Sequence, residues 1–235
     1  MNRFQRFEML VGNNAVSLLK SKKVIVFGVG GVGGYVCEAL CRSGVGCIDV
    51  VDNDMVSITN INRQIIATAD TVGKNKTSVM AERMKSINPD IKATEYNMFY
   101  LPETADEIDL SSYDYVVDAI DTVSGKLELA VRCQRLGVPI VSSMGTGNKL
   151  DPTRIVVTDI YKTKICPLAR VMRGLCKKNG IKKLTVVYSE EEPLTPVFQP
   201  EENDNPNKSI PASSAFVPPA AGLTIASYVV RRLVK

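Results

Sequence analysis

The chain has 235 residues, 45% of them hydrophobic, with formal net charge +4 and a pI near 8.7. That length buries one sizeable core, and the mild basicity permits an acidic or nucleic-acid partner without demanding one. Histidine is absent, which excludes imidazole general-base and zinc–histidine chemistry.

In chain order, Arg3-Phe-Gln-Arg6-Phe7 leads into a helix-like Glu8-Met-Leu-Val. Lys23–Phe27 is a short apolar run that reads as a buried strand. The glycine turn Gly28-Val-Gly-Gly-Val-Gly33 follows, and Val32–Arg42 reads as a helix. A strand, a glycine turn and a helix in that order form a nucleotide site, because the glycines admit phosphate close to the backbone. The helix start supplies free N–H donors and positive dipole. Gly28, Gly30, Gly31 and Gly33 are therefore candidate phosphate-binding positions. A second strand, Cys47–Val51, ends in Asp52, an acid suited to ribose hydroxyls. To this point NAD and ATP fit equally.

The next residues separate the two. Asp52-Asn-Asp54, Thr59-Asn60-Ile-Asn62-Arg63-Gln64 and Lys74-Asn-Lys76 add two cations and polar companions after the ribose acid. Arg63 and Lys76 suit a triphosphate tail and charge developing at phosphorus, whereas a dinucleotide pyrophosphate is already met by the glycine turn. Taken singly, either cation could be an ordinary surface charge; the ordered set is the signal.

Lys76–Ile87 reads as a helix stopped by Asn88-Pro89, Ile91–Tyr96 as a strand, and Tyr113–Asp118 as another. Asp121, just beyond that strand, faces the ligand crevice of a doubly wound sheet and is a candidate Mg²⁺ ligand. Its plain alternative is an acid before the helix Ser124–Leu136. Pro139–Ser142, Ile155–Ile160 and Leu184–Tyr188 read as strands, and Pro167–Lys178 as a helix. Strands alternating with helices mean βαβ units: an α/β, doubly wound, mostly parallel, Rossmann-like sheet in one domain over residues 1–235. Residues 190–213, rich in Pro, Glu and Asn, form a mobile crossover loop or lid, and Pro218–Leu233 returns as a helix.

The set Gly28–Gly33, Asp52, Asn62-Arg63-Gln64, Lys76 and Asp118-Ala-Ile-Asp121 resembles the adenylation core of the MoeB/ThiF/HesA proteins and ubiquitin-activating enzymes, from the N-terminus to about Ser143. The resemblance implies ATP and Mg²⁺, with attack of a substrate carboxylate on the α-phosphate. By position it implies Asp52 on ribose, Arg63 and Lys76 on the phosphates and Asp121 on magnesium. It places Asp54, Asn60, Asn62 and Gln64 among the nucleotide-binding residues. It also implies a homodimer in which Arg6 reaches the partner's ATP, in the manner of an arginine finger; the bland alternative is a solvated N-terminal segment.

Ser143-Met-Gly-Thr-Gly-Asn-Lys-Leu-Asp-Pro152, Asp159-Ile-Tyr-Lys-Thr163 and Pro167-Leu-Ala-Arg-Val-Met-Arg173 resemble the tRNA threonylcarbamoyladenosine dehydratases. One departure is Cys166, where that family usually carries aspartate. The implied substrate is tRNA whose position-37 adenosine bears a threonylcarbamoyl group. Its carboxylate is activated by ATP and a carbamoyl atom then closes a ring. That second step is intramolecular and needs no protein nucleophile.

Three readings stay open: this dehydratase; adenylation of the C-terminal Gly-Gly of a ubiquitin-like sulfur carrier, with a carrier or a cysteine desulfurase as partner; and a non-catalytic or NAD-binding Rossmann protein. None of the six cysteines forms a C-x-x-C pair, so the zinc site of several superfamily members is expected to be missing. Cys166, before Pro167 at a helix start, is the one thiol with a functional candidacy. The densest basic run, Arg170, Arg173, Lys177, Lys178, Lys182 and Lys183, could neutralise RNA phosphates or simply form a solvated helix face. Arg231, Arg232 and Lys235 form a weaker second group. No signal peptide and no membrane-spanning run is apparent, so the cytosol is the expected compartment.

Overall fold

Four consecutive residues of Lys23–Phe27 (β1) are fully buried, Val24 to Phe27. A strand covered on both faces reads as a continuous apolar run because helices pack above and below it. In the computed structural model, which describes residues 2–200 and 210–235, β1 pairs in parallel with Cys47–Val51 (β2) on one side and Tyr115–Asp118 (β4) on the other. Outward from these lie Glu95–Tyr96 (β3), Ile140–Ser143 (β5), Thr185–Ser189 (β7) and Ile155–Asp159 (β6). The seven-stranded order is β3-β2-β1-β4-β5-β7-β6, parallel except for the antiparallel pair β6–β7.

The chain winds outward from β1 to β3 and returns across β1 to β4. The switch in direction therefore lies between the C-terminal ends of β1 and β4, where doubly wound sheets hold their ligands. Alternate residues sort onto two faces. Val24, Val26, Val50 and Val117 pack with Gly33–Arg42 (α3), Lys76–Ile87 (α4) and Val217–Leu233 (α7). Ile25, Phe27 and Val116 face Val123–Leu136 (α5), while Val186 and Tyr188 join Pro167–Lys178 (α6). α7 crosses α3 closely at Gly222, where a Cβ would lie 2.4 Å from the Val32 carbonyl oxygen.

The expected architecture is present, with local differences. The N-terminus forms two helices, Gln5–Val11 (α1) and Asn13–Ser21 (α2), of which the second was not foreseen; Val16 and Leu19 are its buried positions. The strand expected over 91–96 shrinks to Glu95–Tyr96 plus an isolated bridge between Cys47 and Lys92. One reason is that the Thr94 N–H donates to the Asp49 carboxylate at 2.7 Å, not to a neighbouring strand. β4 starts at Tyr115, not Tyr113, because Asp114 turns its carboxylate onto the Lys23 N–H at 2.8 Å. Of the expected crossover loop, 190–200 and 210–213 are described and 201–209 lie outside the described residues.

Candidate functional site

Gly28 leaves β1 with φ +85°, a conformation that side-chain-bearing residues rarely adopt. A Cβ there would sit 2.7 Å from the Ala119 carbonyl oxygen, so the turn is pressed against the loop that leaves β4. At Gly33 a Cβ would lie 1.7 Å from the Gly28 carbonyl oxygen, which forbids any side chain. Around Gly30 the nearest side-chain atom is Gln64 Nε2, 3.7 Å from where a Cβ would be. The result is a shelf of bare backbone at the N-terminus of α3, the geometry that receives phosphate.

Asp52 stands at the end of β2 beside this shelf. Its Oδ2 accepts from the Val29 N–H at 2.7 Å and its Oδ1 from the Asp54 N–H at 2.9 Å. Burial raises its pKa above the ordinary carboxylate value, against the opposing charge of Lys76. The buried Lys76 opens α4, its Nζ 2.7 Å from Asp54 Oδ2 and its own N–H donating to the Asp54 carbonyl at 3.0 Å. Asp52, Asp54 and Lys76 thus form one unit.

The other polar residues come from the turn after Ser57. Asn60 Oδ1 accepts from the Ser57 N–H at 3.1 Å, and the Asn60 carbonyl accepts from the Arg63 and Gln64 N–H groups. Arg63 Nη1 donates to the Thr59 carbonyl at 2.9 Å and to Asn62 Oδ1 at 3.0 Å, and burial lowers its pKa. The Arg63 stem covers Gly31, its Cγ 3.4 Å from a Cβ built there. Gln64 is 6% exposed and its Oε1 is buried without a hydrogen-bond partner. This unpaired acceptor calls for an O–H or N–H donor, which a nucleotide's ribose or adenine can supply and its phosphates cannot. Asn62 Nδ2 donates to the Ser213 carbonyl at 3.1 Å, so the segment before α7 reaches the site.

Asp121 lies exposed in the loop between β4 and α5. The fold therefore gathers Gly28, Gly30, Gly31, Gly33, Asp52, Asp54, Asn60, Asn62, Arg63, Gln64 and Lys76 around the switch point, with Asp121 on the adjoining loop. Arg6 is not brought there. It is exposed on α1, and its neighbour Phe4 packs beside Gly44, ahead of the N-terminal end of β2 and at the opposite edge of the sheet. Cys166 caps α6 as a buried thiol under Gly145.

Sequence reasoning missed the group beneath the crevice. Lys126 is fully buried on α5, with Nζ 3.0 Å from Asp118 Oδ1 and 3.0 Å from the Ile120 carbonyl oxygen. Ser142 Oγ donates to Asp118 Oδ2 from the neighbouring strand. This ion pair ties down the loop that carries Asp121. The signal was available: Lys126 shares helical spacing with the buried Leu129, Ala130 and Cys133. No helix is long and apolar enough to cross a membrane among the described residues.

Known proteins are similar to this chain over all or part of its length. The tRNA threonylcarbamoyladenosine dehydratase of Bacillus subtilis is 42% identical over 243 aligned positions, covering 100% of this chain and 96% of that protein. Escherichia coli tRNA N6-threonylcarbamoyladenosine dehydratase, TcdA, superposes with TM-score 0.89 in its AMP complex and 0.87 in its ATP complex, at 35% and 34% identity. Both cover 98% of this chain and 93% of that one. A sulfur carrier protein adenylyltransferase of Thermus thermophilus is 35% identical over 143 positions, but covers only 60% of this chain and 52% of its own. The family model for ThiF proteins matches residues 4–235, and the chain belongs to the ThiF family.

Proposed function

We propose that this chain is one adenylation domain that catalyses the ATP-dependent dehydration of N6-threonylcarbamoyladenosine at position 37 of tRNA. The observation that carries the reading is the end-to-end likeness to dehydratases of that name. The sulfur-carrier relative is similar over only part of the chain. The residues present fit the nucleotide: a bare glycine shelf, the buried Gln64 amide beside Gly30, and Asp52 bonded to the shelf at the Val29 N–H. When bound, ATP would supply an electrophilic phosphorus: the threonyl carboxylate oxygen would bond to it as the P–O bond to the remaining phosphate portion breaks, which activates the carboxyl carbon.

Asp52 would accept from the ribose hydroxyls, since each of its oxygens keeps an acceptor site beside the Val29 or Asp54 N–H it holds. Asn60, Asn62 and Gln64 complete the polar lining, Asn60 by holding the turn that presents Arg63. Arg63 and Lys76 would balance phosphate charge, with Asp54 holding the Lys76 ammonium in the free protein. Asp121, an exposed carboxylate on the loop after β4, would be the residue to hold Mg²⁺. Arg6 lies on α1, away from its own crevice, so any role at phosphate would be in trans, across a homodimer. Ring closure by a carbamoyl atom expels the phosphate leaving group and is intramolecular, which suits a chain without histidine. We place the activity in the cytoplasm. Any sulfur-carrier or cysteine desulfurase partner would act outside this chemistry.

The test is mass spectrometry of nucleosides from tRNA bearing threonylcarbamoyladenosine, incubated with the protein, Mg²⁺ and ATP. Loss of one water from that nucleoside, abolished by Asp121→Ala, is expected. An unchanged mass from folded, ATP-binding protein would overturn the reading in favour of carrier-protein adenylation.

A further inference from the structure

α6 runs from the crevice rim down one flank of the molecule. Its first turn touches the crevice: a Cβ at Gly145, in the loop leaving β5, would meet Cys166 Sγ at 3.4 Å. β5 lies directly beside β4, with Ser142 opposite Asp118. From that rim the 12 residues of α6 extend about 18 Å. Lys162 and Lys164 precede the helix, Arg170, Lys177 and Lys178 lie along it, and Lys182 and Lys183 follow; all seven are exposed. Among the described residues none of them forms an ion pair with a carboxylate. Other exposed lysines without an ion pair among the described residues, Lys20, Lys85 and Lys92, stand singly on α2, on α4 and before β3, so clustering is what sets this row apart. Arg173 is not part of the free set, because its Nη1 donates to both the Thr163 carbonyl and hydroxyl oxygens at 2.7 Å. It pins the turn that presents Lys162 and Lys164. At the far end Lys183 lies near Tyr228, and the Arg232 guanidinium stands 5.1 Å from that ring's centre. Of the second basic group, Arg232 therefore adjoins the foot of this stripe.

We infer that this stripe is the docking surface for the phosphate backbone of the tRNA substrate, holding the stem while the modified base enters the crevice. The inference rests on the proposed tRNA-directed function for the identity of the RNA, and on the charge pattern alone for its place. Unpaired cations in a row match a polyanion, because each phosphate neutralised releases a condensed counterion. They carry no sequence reading, which suits an enzyme whose specificity lies in a modified base.

The experiment is filter binding of an unmodified tRNA transcript to the full chain across about 50–200 mM salt. The variants are Lys177→Glu, Lys178→Glu and Lys182→Glu combined, the same three positions changed to Gln, and an equal charge change at the exposed Lys20, Lys85 and Lys92. The α6 triple is expected to lose at least tenfold in affinity, and its salt slope to shallow by about 2, some 0.7–0.9 per lost contact. The Gln set should shift the slope equally, and ATP binding should be unchanged in all three. An unaltered slope in both α6 sets, or an equal loss in the Lys20/Lys85/Lys92 control, would overturn the assignment. Wild type that binds tRNA through α6 yet dehydrates nothing would support this surface and sink the dehydratase reading. Dehydration with α6-independent binding would do the reverse.

Discussion

Replacing Lys126 by Met removes the ammonium from a site where nothing else can neutralise Asp118. Both side chains are fully buried and their charged atoms are 3.0 Å apart. Asp118 keeps the Ser142 hydroxyl and the Ile120 N–H at 3.3 Å, but no cation. Breaking one partner of a buried ion pair costs about 3–5 kcal/mol, a large share of the roughly 5–15 kcal/mol that holds a domain together. For a chain of this size that is a fall in Tm of about 6–20 °C. A second variant, Lys126→Met with Asp118→Asn, removes both charges and should recover at least about 2 kcal/mol, since neutral pairs replace buried ion pairs at little cost. The Ile120 carbonyl still lacks its donor in that double variant. The loop between Asp118 and Asp121 then loses its anchor, so stability should return while tRNA dehydration stays low. Thermal unfolding and the nucleoside assay, run on the same preparations, separate the two effects. A single variant that costs under about 1 kcal/mol refutes the energetic argument. A double variant that recovers activity along with stability refutes the positioning role.

Gly33→Ala forces a Cβ to within 1.7 Å of the Gly28 carbonyl oxygen, so the turn must open; calorimetry should show ATP binding weakened by at least about tenfold, and affinity within threefold of wild type would contradict the packing. Five of the six cysteines are buried, and the half-buried Cys47 thiol is pushed up to about 11, by burial first and then by the charge of Asp49. Native protein at about pH 8 should therefore react with less than one equivalent of a disulfide reagent in minutes, and with all six thiols once denatured. Rapid labelling of Cys166 in the native state would revive its catalytic candidacy. The Asp114 carboxyl sits below its ordinary value; burial works against this, and the Lys23 N–H and Lys22 charge outweigh it. A depressed folded pKa gives stability that is present above the unfolded pKa and lost as pH falls through the folded one. Asp114→Asn should thus cost about 1 kcal/mol near pH 7, allowing for solvent screening, and the difference should shrink below about pH 4. A gap that widens in acid would show the sign to be wrong.

What the sequence made legible was local. Gly28–Gly33 sits between an apolar run and a helix because a turn, its donors and its flanking elements are adjacent in the chain. Asp52, Arg63 and Lys76 follow within fifty residues and keep their order. The illegible parts depend on partners far along the chain. Asp49 is fully buried and accepts from the Tyr113 hydroxyl at 2.8 Å across a separation of 64 residues. It also takes the Thr94 N–H, and the expected strand over 91–96 shortens. No periodicity in either segment announces that competition. Lys126 differs: its spacing with Leu129, Ala130 and Cys133 marked an inward-facing position, and only the fold shows Asp118 meeting its ammonium there.

Asn148 shows how such distant contacts reach the crevice. It adopts φ +59°, a left-handed conformation that asparagine tolerates better than most residues. There its N–H donates to the Ala212 carbonyl at 2.7 Å, its Oδ1 accepts from the Ala212 N–H at 2.7 Å, and its carbonyl accepts from the Leu194 N–H at 2.7 Å. One residue thus clasps both described arms of the crossover segment. Pro211 lies against Gly147, where a Cβ would approach it to 2.9 Å, which explains a glycine at that position. Beyond the clasp, the Ser213 carbonyl accepts from Asn62, whose Oδ1 in turn accepts from Arg63. The position of the Arg63 guanidinium is therefore set in part by a loop after β5 and a strap before α7, more than eighty residues away along the chain. A composition rich in proline and asparagine marked that strap as irregular backbone. Only the fold shows that its irregular path ends on the candidate site.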